Sequence, residues 1–427
     1  MTHSAVDSRR VVVVGQGYVG LPLAMRAVEV GHRVTGYDVD TNRTKLLNAS
    51  ESFVEDVPAA VLEAAHTSGR YQVSSEARSC AGFDVAVITV PTPLRDGNPD
   101  LSYVESAART LGRFLRPGAT VVLESTTYPG TTEEFVAPIL EEVSGLVAGV
   151  DFHLGYSAER IDPGNRTWTF VTTPKVVSGV DERSLAAIDA FYAGLVDRTV
   201  PVGSPREAEL AKLLENTFRH VNIALVNEVA MFAHELGIDI WSVIDAAATK
   251  PFGYMRFTPG PGVGGHCLPI DPSYLSWRVK RSLGRSFRFV ELANDINEHM
   301  PDHVVHRLMV ALNRSHRSVN GARVLLLGLS YKPNTGDARE SPAVSVAQQL
   351  LTLGAEVRGA DPYLREGHVD RVVRVDLTAE ELTAADAVVV LTDHDAFDYD
   401  LVAQHASYVL DCRRRVPRDA AAQVELL

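Results

Sequence analysis

The sequence predicts an α/β protein made of two doubly wound domains joined by a helical segment with a long bridging helix. Three observations carry that expectation: strand and helix patterns alternate near the N-terminus, the same alternation returns near the C-terminus, and a helical pattern separates them. In the first stretch the β-branched runs are VVVVG at 11–15, RVTGYD at 33–38, DVAVITV at 84–90 and ATVVLEST at 119–126. In the last stretch they are RVLLLGL at 323–329, AEVRGAD at 355–361, ADAVVVLTD at 385–393 and YVLDC at 408–412. Between them one helix is expected from Pro205 to Gly237, opened by proline and closed by glycine. That length exceeds the usual globular helix, so it is expected to bridge domains or pack across a homodimer. The domain bounds follow as 1–204, 205–318 and 319–427, and 427 residues with 45% apolar content are enough for several cores.

Charge narrows the partners. With 54 acidic against 41 basic side chains the net charge is −13, which disfavours nucleic acid and requires any phosphate site to be built locally. The first apolar run is only Val11 to Val14, and no later stretch reaches spanning length, so a cytoplasmic protein without a membrane partner is expected. The three cysteines, Cys80, Cys267 and Cys412, lie far apart, which argues against a disulfide framework and a zinc cluster and leaves a thiol free for chemistry. Only six of the 41 basic residues are lysines, so a retained lysine points to a place where a compact, tunable ammonium matters.

Gly15, Gly17 and Gly20 form GxGxxG directly after the first strand and before a helix, with Tyr18 and Val19 inside the turn. Such a turn brings backbone donors and a helix N-terminus to a pyrophosphate and defines a Rossmann-like domain. Asp38 ends the next strand, where a carboxylate accepts from ribose hydroxyls and repels a 2′-phosphate, so the expected cofactor is NAD. Thr92 and the group Ser125, Thr126 and Thr127 follow later strands, at the edge where such sheets bind ligands.

Cys267 ends the loop PGPGVGGHC, whose Gly260, Gly262, Gly264 and Gly265 leave few side chains to pack, so the loop is expected to wrap something. Asp271, followed by Pro272, reads either as a helix N-cap or as a site carboxylate. On the long helix Lys212 and Asn216 are four residues apart, and Glu209, His220 and Asn227 continue a polar stripe through apolar surroundings. A buried seam is therefore expected there. His299, His303 and His306 share a helical face, but no metal site is expected without further ligands nearby. A nicotinamide cofactor beside a thiolate permits two successive oxidations through a thiohemiacetal and a thioester.

The chain resembles the nucleotide-sugar 6-dehydrogenase family over roughly residues 10–415. The resemblance rests on GQGYVGLPLA, VPTPL, LESTTYPGTTEE, SAERIDPGN, AKLLENTFRHVNIALVNE, TKPFGYMRFTPGPGVGGHCLPIDP and YKPNTGDARESP. It implies that an NDP-hexose is oxidised to the hexuronate with two NAD+, and that Cys267 is the nucleophile. It further implies that Lys212, Asn216 and Asp271 position the C6 oxygen and a water, that Glu159 acts in thioester hydrolysis, and that Thr126 holds a water or the nicotinamide end. Lys332 and Arg339 match positions that reach cofactor and substrate phosphates. Arg160, Tyr254, Arg256, Gly262 and Gly264 fall in the substrate-binding motifs with Glu159, Lys212, Asn216 and Lys332, and the last domain is expected to hold the nucleotide diphosphate. The residues before the thiol, with His266, resemble the branch acting on UDP-N-acetylhexosamines; UDP- or TDP-glucose is the alternative substrate, and a two-electron hydroxyacid dehydrogenase the more distant one. The hexuronate product implies a place in surface polysaccharide biosynthesis or metabolite glycosylation.

Overall fold

The computed structural model describes residues 8–427 apart from 55, 96, 162–164, 166, 266, 267, 269, 365–368 and 418–420. The chain divides into two compact units: Met1–Glu215 with Trp277–Gly284, and Asn216–Ser276 with Arg285–Leu427.

In the first unit the main sheet consists of β1 (Arg10–Val14), β2 (Arg33–Tyr37), β3 (Tyr71–Ser74), β4 (Val85–Ile88), β5 (Thr120–Leu123) and β6 (His153–Tyr156). All pairings are parallel and the order is β3-β2-β1-β4-β5-β6. Helices cover both faces, which is why β1, β4 and β5 are near-continuous Val, Ile and Leu rather than alternating. The helix Gly20–Glu29 buries Leu21, Leu23, Ala24, Ala27 and Val28.

The four expected strands are joined by β3 and β6, which carry weaker patterns. β3 is an edge strand of four residues with Gln72 exposed. β6 is interrupted by Gly155, where a Cβ would lie 2.0 Å from the Ser178 carbonyl oxygen. Close backbone approach, not strand propensity, decides the residue there.

In the second unit the sheet consists of β7 (Arg323–Leu327), β8 (Glu356–Ala360), β9 (Val373–Arg374), β10 (Ala387–Val390), β11 (Tyr408–Asp411) and β12 (Gln423–Leu426). Its order, β9-β8-β7-β10-β11-β12, repeats the first, again with every pairing parallel. The helical segment runs through Pro205–Glu235, Ile240–Ala248, Asp271–Leu283, Arg288–Glu298 and Met300–Arg314. Its first helix has 31 residues and stops before Gly237, whose φ of +69° suits glycine after a helix end. Among the described residues, no helix is long and apolar enough to cross a membrane.

Candidate active site

The glycine turn is built for two separate demands. Gly15 has φ +91°, donates to the Tyr37 carbonyl at 2.8 Å, and would place a Cβ 2.7 Å from the Thr89 oxygen. Gly20 opens the helix Gly20–Glu29, where a Cβ would sit 1.9 Å from the Gly15 oxygen. These two glycines close the turn on itself. A Cβ at Gly17 would meet nothing within 4 Å, so the backbone there faces open space at a helix N-terminus. Val19 directly precedes the helix and Tyr18 packs on the core below.

Asp38 follows β2 and is buried. Its Oδ2 accepts from the Gln16 N–H and from Arg43, both at 2.8 Å, and its Oδ1 accepts from the Asp40 N–H at 2.9 Å. Arg43 was not legible as a site residue: it lies on the helix Thr41–Asn48 and reaches back five residues to Asp38. Thr92 and Thr126, both half-buried, follow β4 and β5 at the same sheet edge. Open space at Gly17, the helix N-terminus and the carboxylate after β2 fit a dinucleotide such as NAD.

Behind that edge lies a charge cluster. Lys175 sits 3.1 Å from Glu124 Oε1 and 3.1 Å from Glu159 Oε2, and all three side chains are buried. Glu159 Oε1 also accepts from the Ile161 N–H, and Tyr192 donates to Glu124. Burial pushes Glu124 up to about 7 against the pull of Lys175. Burial also opposes charge on Glu159, but Lys175, the Ile161 N–H and Lys212 outweigh it and hold its carboxyl below the usual range. Arg160 is paired with Glu215 at 2.7 Å and donates to the Pro174 carbonyl at 2.6 Å.

The expected polar seam on the long helix is present. Glu209 accepts from the Gly130 N–H at 2.6 Å, the Thr132 N–H at 2.9 Å and the Thr132 hydroxyl at 2.7 Å. Burial raises its carboxyl to about 7. Lys212 is also buried, one turn further on. His220 bonds Asn294 at 2.7 Å, while Asn227 donates to Asn297 and accepts from the Gly260 N–H, both at 2.9 Å.

Within the second unit Asn216 donates to Asp271 Oδ2, so this carboxylate at the start of its helix reaches the long helix. The glycine loop wraps the segment after β7. A Cβ at Gly264 would lie 2.5 Å from the Glu340 oxygen, one at Gly265 the same distance from the Tyr331 ring, and one at Gly262 3.0 Å from the Asn297 oxygen. Gly265 donates to the Arg339 carbonyl at 3.2 Å. The backbone of Lys332 is pinned by the Ser330 and Thr335 hydroxyls. Arg339 pairs with Asp337 at 2.6 Å, Arg256 with Asp245 at 3.0 Å, and Tyr254 is exposed. Cys267 and His266 lie outside the described residues. Cys80 and Cys412 are buried, which pushes both thiols up to about 12 and makes them poor nucleophiles. Among the described residues no group of His, Cys, Asp or Glu is arranged to hold a metal.

A Rossmann-like domain whose glycine turn and following carboxylate fit a dinucleotide, with buried Glu159, Lys175 and Lys212 in the same unit, points to a nicotinamide-dependent oxidoreductase. The chain belongs to the UDP-glucose/GDP-mannose dehydrogenase family: the NAD binding domain matches residues 9–196, the central domain 206–299 and the UDP binding domain 325–418. It is an NAD-dependent nucleotide-sugar dehydrogenase. It is 37% identical to a UDP-N-acetyl-D-mannosamine dehydrogenase of Pyrococcus horikoshii over 91% of this chain and 90% of that one. It is 38% identical to a UDP-N-acetyl-D-glucosamine 6-dehydrogenase of Pseudomonas aeruginosa over 83% of each. The structure of a UDP-glucose dehydrogenase from Pyrobaculum islandicum superposes with a TM-score of 0.88 at 32% identity, covering 100% of this chain and 99% of that one.

Proposed function

We propose that this enzyme carries out the four-electron oxidation of a UDP-N-acetylhexosamine at C6, giving the hexuronate through covalent intermediates on Cys267. Residues 1–204 hold NAD, 205–318 bridge and dimerise, and 319–427 hold the nucleotide diphosphate. Two NAD+ molecules, bound one after the other, would each supply the oxidant for one of two rounds. In the first round the C6 alcohol loses a hydride and a proton to become the aldehyde. The Cys267 thiolate then adds to give a thiohemiacetal. A second hydride and proton leave, the product is a thioester, and water cleaves it to the carboxylate and the free thiol.

Lys212, Asn216 and Asp271 orient the C6 oxygen and the attacking water and stabilise the oxyanions that form on it. Glu159 acts on the hydrolytic water and Thr126 orients a water or the nicotinamide end. Gly15, Gly17, Tyr18, Val19, Gly20, Asp38, Thr92, Lys332 and Arg339 serve the cofactor. Arg160, Tyr254, Arg256, Gly262, Gly264 and Lys332 serve the substrate.

The observation that carries this reading is the Asn216–Asp271 pair in the same compact unit as the glycine loop that leads into Cys267. The relatives named for UDP-N-acetylmannosamine and UDP-N-acetylglucosamine favour the acetylated sugars. UDP-glucose is the second reading, supported by the likeness to the Pyrobaculum islandicum enzyme.

Homodimer formation is supported by Leu214, Phe218, Leu225, Val229 and Phe232, which form an exposed apolar stripe along the long helix, extended by Leu236. The test of function is a panel of UDP-N-acetylmannosamine, UDP-N-acetylglucosamine, UDP-glucose and TDP-glucose, counting NADH per sugar. Two NADH from an acetylated sugar, with a Cys267 acyl adduct trapped under turnover, supports the reading; one NADH and no adduct assigns the chain to two-electron chemistry.

A further inference from the structure

The Glu124, Glu159 and Lys175 cluster contains two carboxyl groups and one ammonium, with an aromatic wall beside them. The Phe170 and Tyr192 rings each lie 5.3 Å from the Lys175 Nζ. The hydrogen bonds distribute unequally. Both Glu159 oxygens have donors, one from Ile161 and one from Lys175. Glu124 has its donors, Lys175 and Tyr192, on Oε1 alone, and its buried Oε2 has no partner. A buried carboxylate oxygen without a donor is costly, whereas one that carries a proton is far less so. Three groups with one net negative charge become a neutral set if that proton is present.

We propose that Lys175 and Glu124 are positioning residues for Glu159: Lys175 orients the Glu159 carboxylate, and the proton that Glu124 carries on Oε2 sets how much of the Lys175 charge acts on Glu159. The inference rests on the assignment of Glu159 to thioester hydrolysis. The groups facing the cluster from neighbouring elements are Tyr192, whose hydroxyl burial keeps protonated, and Lys212, whose charge acts on Glu159. Burial sets Glu124 to lose its proton near pH 7. Once ionised it repels the neighbouring carboxylate, raises the proton affinity of Glu159 and makes it a stronger base. Hydrolysis in the wild-type enzyme should therefore accelerate as pH rises through 7.

The experiment is rapid mixing of enzyme, NAD+ and whichever UDP-sugar the wild type oxidises, with NADH followed from pH 6 to 9. Lys175→Met is expected to keep a burst of up to two NADH per site and to slow the following steady state at least about tenfold. Lys175→Arg should restore part of it. Glu124→Gln retains the shape of the neutral acid but cannot ionise, so its steady-state rate should lack the rise near pH 7. A Glu124→Gln profile that keeps this rise, or a folded Lys175→Met enzyme with an unchanged steady state, overturns the proposal; if Lys175→Met does not fold, Glu124→Gln decides alone. Glu159→Gln separates the two levels. Wild-type hydrolysis in that variant refutes the role of Glu159 itself, whereas slow hydrolysis there with wild-type behaviour in the other variants refutes only the role of Lys175 and Glu124.

Discussion

Glu209 offers a prediction whose size follows from its surroundings. Its carboxyl accepts three hydrogen bonds from Gly130 and Thr132, and burial nevertheless raises it from 4.5 to about 7. The unfolded chain loses this proton at the ordinary value, while the folded chain keeps it to about 7. The stability that this proton contributes is thus fully present below the unfolded value and is lost as pH rises through 7, a change of about 2 to 3 kcal/mol between about pH 5 and about pH 8. Glu209→Gln removes the titration but preserves the shape. Against the neutral acid it replaces a hydroxyl oxygen, which can still accept, by an amide NH2 that only donates and so leaves one of these backbone N–H groups without an acceptor; at pH 5 the variant should therefore lie about 1 to 2 kcal/mol below wild type. By pH 8 it should have gained about 2 to 3 kcal/mol relative to wild type. Glu209→Ala instead strands three buried donors at every pH and should cost about 3 kcal/mol or more at pH 5. Urea unfolding of wild type and both variants, followed by fluorescence and circular dichroism at four pH values, measures these gaps. Contributions from other groups, Glu124 included, cancel in the difference. A wild-type to Gln gap constant to within about 0.5 kcal/mol would show that Glu209 titrates as an ordinary carboxylate, ionised beside Lys212 across this range, and would refute the proton that burial holds on it.

Two further outcomes follow from the same geometry. Gly20→Ala must push the turn apart, because its Cβ would lie 1.9 Å from the Gly15 oxygen and 2.4 Å from the Thr89 hydroxyl; NADH titration by fluorescence should show affinity weakened at least about a hundredfold, and an unchanged Kd would count against the turn as the dinucleotide site. Replacing Leu225 and Phe232 together by glutamate should yield a monomer by light scattering if the exposed stripe is the dimer surface, while a variant that elutes as a dimer would locate the interface elsewhere.

What could be read in the sequence was whatever one segment decides by itself. The Val-rich strands, the glycine turn and the helix from Pro205 onward declare themselves through period, residue type and breakers. Even the seam of Glu209, Lys212, His220 and Asn227 was legible, because polar residues at helical spacing inside an apolar run have to find partners. Their partners were not. Gly130, Asn294 and Asn297 lie 70 to 79 residues away in the chain from the seam residues they bond, and no periodicity connects them. The same limit hid the cluster around Glu159: Lys175 stood out only as one of six lysines, and Glu124 only as part of a motif. Bringing them within 3.1 Å of each other requires β5, β6 and the segment Lys175–Val177 to be placed side by side.

The second sheet shows why a shared fold did not mean a shared ligand. Val14 pairs with Tyr37 and Leu327 with Ala360, so each first strand ends opposite its neighbour in the same register. A left-handed glycine follows in both, Gly15 donating to the Tyr37 carbonyl and Gly328 to the Ala360 carbonyl, and each glycine is pressed against a threonine carbonyl. An aspartate then follows each second strand. Here the halves diverge. Asp361 accepts from the N–H groups of Leu329, Ser330, Tyr363 and Leu364 and from His394, which uses its carboxylate fully inside the protein. The positions that correspond to Gly17 and Gly20 are Ser330 and Pro333, so neither the open backbone nor the helix start of the first turn is reproduced. His394 also accepts from the Asn334 N–H, and its ring thereby fixes the turn that carries Lys332. In the first domain the aspartate stands beside a turn whose backbone is left open, whereas in the second the equivalent carboxylate is consumed in shaping the loop that carries Lys332.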